Sequence, residues 1–150
     1  MRSLLFDFAW VLLFPKDKAY QGKLNDLYEA HKNDANFRFT SYFRFNQELL
    51  SFLEKNQGEL ILNIYTSGYI QNDPVAMARI KPLFMHIFSA KELDLPKDKP
   101  SSYLTISSKL NQKPGRITFI DDKNENISSA KAAGINSILF ENTQKLLALL

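Results

Sequence analysis

The sequence predicts an α/β fold, with a parallel sheet between two layers of helices. Three observations carry this. Short apolar runs of strand length recur along the chain, segments of helical period separate them, and two of the runs end in carboxylates. Asp7 lies in the first run, Ser3–Phe8 (SLLFDF), and Asp121 and Asp122 close a much later one, Arg116–Ile120 (RITFI). Parallel strands in an open α/β sheet present their C-terminal ends to one crevice, so these carboxylates are expected to meet there as a metal-centred site. At 150 residues and 45% hydrophobic content, the chain reads as one domain, residues 1–150, long enough to bury roughly two thirds of its unfolded surface.

The elements follow in order. After the first strand, Lys23–Lys32 has helical period. Asn46–Lys55 is a second helix with Asn46 as its N-cap, Leu49, Leu50 and Leu53 on one face, and Gly58 as the stop. Glu59–Tyr65 (ELILNIY) is a buried strand bounded by Thr66-Ser67-Gly68. Asp73-Pro74 then supplies an N-cap and a first-turn proline for a helix over Val75–Leu83. Met85–Phe88 is a short strand, and Pro100 opens a helix to about Leu110. Lys113-Pro114-Gly115 turns the chain into Arg116–Ile120. A helix from about Asn124 to Ala133 ends at Gly134, Asn136–Phe140 is the last strand, and Asn142 caps a terminal helix. Strict βα alternation of this kind places helices on both faces of the sheet, giving three layers.

Composition limits the function classes. With no cysteine there is neither a disulfide framework nor thiol chemistry, so any metal must be held by oxygen or histidine, which favours a hard cation. The net charge of +3 and pI near 9.0 come from lysines and arginines spread along the chain rather than clustered, and they argue little for a nucleic-acid partner. The charged Asp7 interrupts the apolar N-terminus, which therefore reads as a strand rather than a signal peptide. Nothing approaches the roughly 20 apolar residues of a membrane span, so a cytoplasmic location without membrane partners is expected.

At its strand ends the chain resembles the haloacid dehalogenase (HAD) superfamily, over nearly all residues outside about 14–44. Phe6-Asp7-Phe8-Ala9-Trp10-Val11-Leu12 is similar to the first motif, Asp-x-Asp-Gly-Thr/Val-Leu. Thr66 with Ser67-Gly68 is similar to the second, and Lys97-Asp98-Lys99-Pro100-Ser101-Ser102-Tyr103 to the third. Phe119-Ile120-Asp121-Asp122, continued by Asn126, Ala130, Ala133 and Gly134, resembles the fourth. The resemblance implies a Rossmann-like HAD fold with a small-molecule phosphorylated substrate. Asp7 is then the nucleophile, Thr66 the hydroxyl that binds the phosphoryl group, and Lys97, rather than Lys99, the motif lysine. It further implies Mg²⁺ held by Asp7, the main-chain carbonyl of Ala9 and Asp122, with Asp121 as a water-mediated ligand. Residues of about 14–44 then form a minimal cap-like insertion.

Two positions depart from the family pattern. Ala9 stands where a second Asp protonates the leaving group and activates water, help worth typically about 10²–10⁴ in rate. Trp10 stands where the family prefers Gly. The leading reading is therefore a Mg²⁺-dependent, phosphatase-like hydrolase of weak or atypical activity. A non-catalytic module that keeps the fold and binds a ligand or protein partner is the alternative, and a metal-free dehalogenase leaves the acidic pair without a reason. Phe37–Phe45 (FRFTSYFRF) interleaves aromatics with arginines. This describes a half-buried strand or the anchor of a small insertion better than a base-stacking surface. His31 and His86 lack spaced ligand partners and read as structural or surface residues.

Overall fold

A computed structural model describes residues Met1–Leu150. Its frame is a five-stranded sheet built from β1 (Arg2–Phe6), β4 (Leu60–Thr66), β5 (His86–Ser89), β6 (Ile117–Asp121) and β7 (Asn136–Leu139), in the order β5-β4-β1-β6-β7. All four neighbouring pairs are parallel. The register places Phe6 of β1 opposite Ile64 of β4 and Ile120 of β6, so the chain leaves these three central strands at one end. A two-stranded antiparallel ribbon of β2 (Leu13–Pro15) and β3 (Phe43–Phe45) stands apart from the sheet.

Alternation along the strands divides the core. Leu4, Phe6, Leu62, Ile64 and Ile120 point to one face, where they pack with Leu24 of α1 (Leu24–His31) and Phe39 of α2 (Phe39–Tyr42). The same cluster takes in Leu49, Leu50 and Leu53 of α3 (Gln47–Lys55), Ala76 and Ile80 of α4 (Pro74–Ile80), and Leu146 of α8 (Thr143–Leu149). Leu5, Tyr65, Ile117 and Phe119 point to the other face. There they meet Ala90 of α5 (Ala90–Leu93), Tyr103 and Ile106 of α6 (Pro100–Lys109), and Ile127 and Ala130 of α7 (Asn124–Ala132). Because the sheet is covered on both sides, its strands read as near-continuous apolar runs rather than as alternating ones. No helix is long and apolar enough to cross a membrane.

Local chemistry sets the helix ends. Asn46 Oδ1 accepts from Leu49 N at 3.2 Å, Asp73 Oδ1 from Val75 N at 2.8 Å and Asn142 Oδ1 from Lys145 N at 2.9 Å. Gly134 adopts φ +85°, the left-handed conformation that closes a helix without a Cβ clash.

The structure differs from the sequence reading in several places, among them the strand Leu13–Pro15, which that reading does not contain. The Val75–Leu83 helix ends at Ile80, because Leu83 N and Phe84 N both turn back onto Ile80 O. Phe37–Phe45 is not one strand: Phe39–Tyr42 forms a helical turn, and only Phe43–Phe45 extends to pair with Leu13–Pro15. The short helix α5 and two 3₁₀ turns, Ile70–Asn72 and Pro114–Arg116, carry too few residues to show a helical period.

Candidate active site

Asp7 follows β1 directly, and its N–H donates to Ile120 O at 2.8 Å, so the β1–β6 pairing extends one residue past the strand. Thr66 is the last residue of β4 and Asp121 the last of β6, with Asp122 next. Three adjacent strands thus deliver all four side chains to one end of the sheet. Lys97 arrives from the loop between α5 and α6. Tyr103 Oη donates to the Lys97 carbonyl at 2.7 Å, and Tyr65 Oη to the Leu95 carbonyl, so two tyrosines hold that loop against the second core face.

Lys97 Nζ lies 2.9 Å from Asp7 Oδ1 and 2.7 Å from Asp121 Oδ2, with all three side chains buried. At these distances the contacts are charge-assisted, ammonium against carboxylate. The ammonium also sits 5.6 Å from the Tyr65 ring centroid and 5.5 Å from that of Phe119, within cation–π range. Carboxylate oxygens of Asp7, Asp121 and Asp122 lie within 4.8 Å of one another. One ammonium therefore faces three carboxylates, and a net charge of about −2 is left when all are ionised.

That imbalance governs protonation. Burial raises the Asp7 carboxyl to about 7; Lys97 pulls it down, but the neighbouring Asp121 charge pushes it up again. Burial likewise raises Asp122, helped by Asp121. Burial acts to lower Lys97, yet Asp7 and Asp121 outweigh it and hold the ammonium above its ordinary value. The three upward shifts are consistent, because one lysine between two carboxylates stays charged while the surplus carboxylate keeps a proton.

The three acids are not equivalent. Asp121 is saturated: Oδ1 accepts from Lys123 N at 2.8 Å, and Oδ2 takes Asn126 Nδ2 at 3.1 Å together with Lys97. Asp7 Oδ1 accepts from Phe8 N at 2.8 Å beside Lys97, while no protein group donates to Oδ2. The Ala9 carbonyl accepts no main-chain hydrogen bond either. Thr66 Oγ1 is fully buried and has no partner.

These groups border a cavity of about 590 Å³, whose lining includes Asp7, Ala9, Trp10, Thr66, Asp122 and Lys123; Asp121 and Lys97 lie behind this wall. The same cavity is walled by Gln21 to Asn25. Trp10 takes φ 66° in the left-handed region, a cost of roughly 1–2 kcal/mol for a residue with a Cβ. Its indole Nε1 donates to Gly22 O at 3.2 Å, so the side chain braces the wall rather than filling the cavity. His31 and His86 are elsewhere, paired with Asp34 and Asn63.

Sequence reading missed the supporting groups. Tyr65 resembles an ordinary core aromatic, and although Tyr103 and Phe119 fall within the third and fourth motifs, their contacts with Lys97 appear only in the fold. Lys23 and Asn25 enter through a long sequence separation that no local pattern announces. Asn126, five residues after Asp121 in the helix that follows, was quoted with the fourth motif, and its bond to Asp121 Oδ2 bears on the site directly.

Residues 11–140 match the model of the haloacid dehalogenase-like hydrolases. Over 84 residues the chain is 31% identical to enolase-phosphatase E1 of Synechococcus sp. (strain CC9605), an alignment covering 53% of this chain and 33% of that protein. The matched stretch thus spans about a third of the curated relative. Among solved structures, a HAD-superfamily hydrolase of subfamily IA, variant 1, from Geobacter sulfurreducens PCA superposes with a TM-score of 0.70 at 15% identity, covering 100% of both chains. A HAD-family enzyme from Bacteroides thetaiotaomicron, solved with magnesium and inorganic phosphate, gives 0.68 at 13% identity, covering 97% of this chain and 98% of that one. These likenesses establish a shared fold. The matched span starts beyond Asp7 and Ala9 and takes in the strands carrying Thr66, Asp121 and Asp122, so with 130 of its 150 residues inside that span the chain belongs to the haloacid dehalogenase-like hydrolases.

Proposed function

We propose that this chain is a Mg²⁺-dependent phosphoryl hydrolase with Asp7 as nucleophile, slowed by the absence of an acid at position 9. One observation carries the reading: Asp7, Asp122 and an unpartnered Thr66 hydroxyl line one cavity, backed by the buried pairing of Lys97 with Asp7 and Asp121. The donor set suits a hard divalent cation. The Asp7 carboxylate, the Ala9 carbonyl and Asp122 would hold it, with Asp121 behind them, and the surplus negative charge of about two matches its own. When bound, Mg²⁺ supplies charge that offsets the repulsion between carboxylate and phosphate.

The protein's own residues do the rest. Lys97 holds Asp7 Oδ1, which aims Oδ2 into the cavity as the attacking atom. The Asp7 oxygen forms a bond to phosphorus as the ester P–O bond breaks, and the departing alkoxide takes its proton from water, because Ala9 offers none. Thr66 Oγ1 donates to a phosphoryl oxygen, satisfying a hydroxyl that otherwise has no partner. Water then cleaves the aspartyl phosphate, returning Asp7 and inorganic phosphate. The relatives solved with magnesium and phosphate, and the enolase-phosphatase relative, support this chemistry by kinship.

Ala9 by itself favours a second reading, a ligand-binding module without turnover. The experiment that separates them is hydrolysis of an aryl and an alkyl phosphate with and without Mg²⁺. Wild type should turn over the aryl ester slowly, Asp7→Asn neither. Ala9 lines the cavity, so Ala9→Asp should raise alkyl ester hydrolysis by more than aryl, within the 10²–10⁴ range typical of acid–base help. No turnover by Ala9→Asp on either ester, with Mg²⁺ binding intact, would establish the binding module instead.

A further inference from the structure

The cavity at the strand ends holds a nucleophile but no group free to move a proton. Asp7 and Asp122 are the only carboxylates in its lining, and the reading above commits the first to phosphorus and the second to the cation. The other polar side chains are amides, hydroxyls and ammoniums, such as those of Asn25, Ser67 and Lys123, none of which takes a proton from water at neutral pH. Asp121 lies behind the wall with both oxygens engaged, by Lys123 N, Asn126 Nδ2 and Lys97 Nζ. His31 and His86 line no part of the cavity and pair with Asp34 and Asn63. Ala9, in the lining two residues after Asp7, has only a methyl group to offer.

The two halves of the reaction suffer unequally from this. In the first, an Asp7 oxygen bonds to phosphorus, the P–O bond to the leaving group breaks, and its electron pair stays on the departing oxygen. A carboxylate or phenolate carries that charge without a proton, whereas an alkoxide does not, so the missing acid matters little for acyl and aryl phosphates. An acyl phosphate also exchanges one carboxyl–phosphate bond for another, so its transfer to Asp7 is close to balanced. In the second half, the oxygen of water bonds to phosphorus and the bond to Asp7 breaks, its electron pair returning to the carboxylate while a proton leaves to solvent. The attacking group here is water whatever the donor, so the missing base slows this half for every substrate. The groups that hold the adduct are all present. Lys97 Nζ, at 2.9 Å, and Phe8 N, at 2.8 Å, keep Asp7 Oδ1 in place, and the buried Thr66 hydroxyl has no competing partner.

We propose that Asp7 is a site of persistent phosphorylation: the chain draws a phosphoryl group from donors with stable anionic leaving groups, acyl phosphates foremost, and carries it as an aspartyl phosphate whose hydrolysis is the slow step. The proposal rests on the phosphoryl-transfer reading above, since it needs Asp7 as the nucleophile. Its test uses the full chain in excess Mg²⁺, with phenyl, 4-nitrophenyl and 2,4-dinitrophenyl phosphate followed by rapid mixing, and acetyl phosphate by acid quench and intact-mass spectrometry. The two nitrophenyl esters should share one steady rate and give a burst of phenolate stoichiometric with the protein. Acetyl phosphate should add the mass of one phosphoryl group, which survives removal of the donor, is released by hydroxylamine and is missing in Asp7→Asn. In Ala9→Asp the adduct should decay roughly tenfold faster or more, because a base again faces the attacking water. The ester series needs only wild type, so it decides even if that variant does not fold. Steady rates that keep rising with leaving-group quality and show no burst, or an adduct that decays as fast in wild type as in Ala9→Asp, would overturn the proposal while Asp7-dependent hydrolysis stands. If no donor gives phenolate release or an adduct that depends on Asp7, the phosphoryl-transfer reading falls with it.

Discussion

Lys97 is the residue on which the site's electrostatics turn, because its buried ammonium lies 2.9 Å from Asp7 and 2.7 Å from Asp121. Replacing it by Met keeps the stem and removes the charge, leaving Asp7 and Asp121 uncompensated. Removing one partner of a buried pair costs about 3–5 kcal/mol, and urea unfolding of the metal-free Lys97→Met protein should show a loss of that order. The loss should shrink at pH 5, where the carboxylates more readily take up protons. Asp7 sets a second pH effect. Its folded-state value of about 7 lies above the ordinary 3.8, so its contribution to metal-free stability is complete below pH 3.8 and is lost as pH rises towards 7. A cation bound by Asp7 must displace the retained proton. Mg²⁺ binding at pH 6 should therefore release protons, seen as a dependence of the calorimetric heat on buffer ionisation enthalpy. That dependence should fade by pH 8.5, and its absence at pH 6 would mean that Asp7 is already ionised or is not a ligand.

Among the elements, α1 behaves as part of the site rather than as packing alone. Leu24 anchors it in the core, while Asn25 ties it to the turn after β4. The close approach of Asn25 to Gly68 makes the two positions interdependent. Gly68→Ala should cost about 1–3 kcal/mol, as overpacking typically does. In Asn25→Ala the clashing oxygen is gone, so the same Gly68→Ala change should cost little. A double-mutant cycle by chemical unfolding should therefore show coupling above about 0.5 kcal/mol, whereas additive losses would mean that the turn relaxes away from α1. Asn46 joins further elements in the same manner: besides capping α3, its Nδ2 donates to Val11 O and to Thr143 Oγ1, both at 2.9 Å, so one side chain links the segment after β1, α3 and α8.

For the whole molecule, the sheet is the rigid part and the cluster at its C-terminal end is the strained part. Like charges are held within 4.8 Å of one another because the strands on which they sit are locked from both faces. A ligand that relieves this repulsion stabilises the folded state by mass action, about 2.7 kcal/mol at a concentration one hundredfold above Kd. Mg²⁺ should accordingly raise the urea midpoint of wild type with no change in m-value. Asp122→Asn, which removes one carboxylate while leaving the Lys97 pairs intact, should lose most of that shift. An equal shift in both proteins would place the cation elsewhere.

The sequence by itself determined the α/β class, the five sheet strands and the caps at Asn46, Asp73 and Asn142. These follow from local periodicity and from short side chains that bond to their own neighbouring backbone. It also marked Asp7, Asp121 and Asp122, because a strand end closed by carboxylates is a local signal, whereas Thr66 and Lys97 were marked only by their resemblance to family motifs. Tertiary structure alone decided that Lys97 bridges Asp7 and Asp121, that Asp121 is saturated while Asp7 keeps a free oxygen, and that Tyr65 and Phe119 flank the ammonium while Tyr103 holds the Lys97 carbonyl. The same holds for the wall of residues 21–25 and for the left-handed Trp10 that braces it. Such relations join positions up to about a hundred residues apart, and their geometry is set by strand register and by packing on both sheet faces. No pattern confined to neighbouring residues encodes that information.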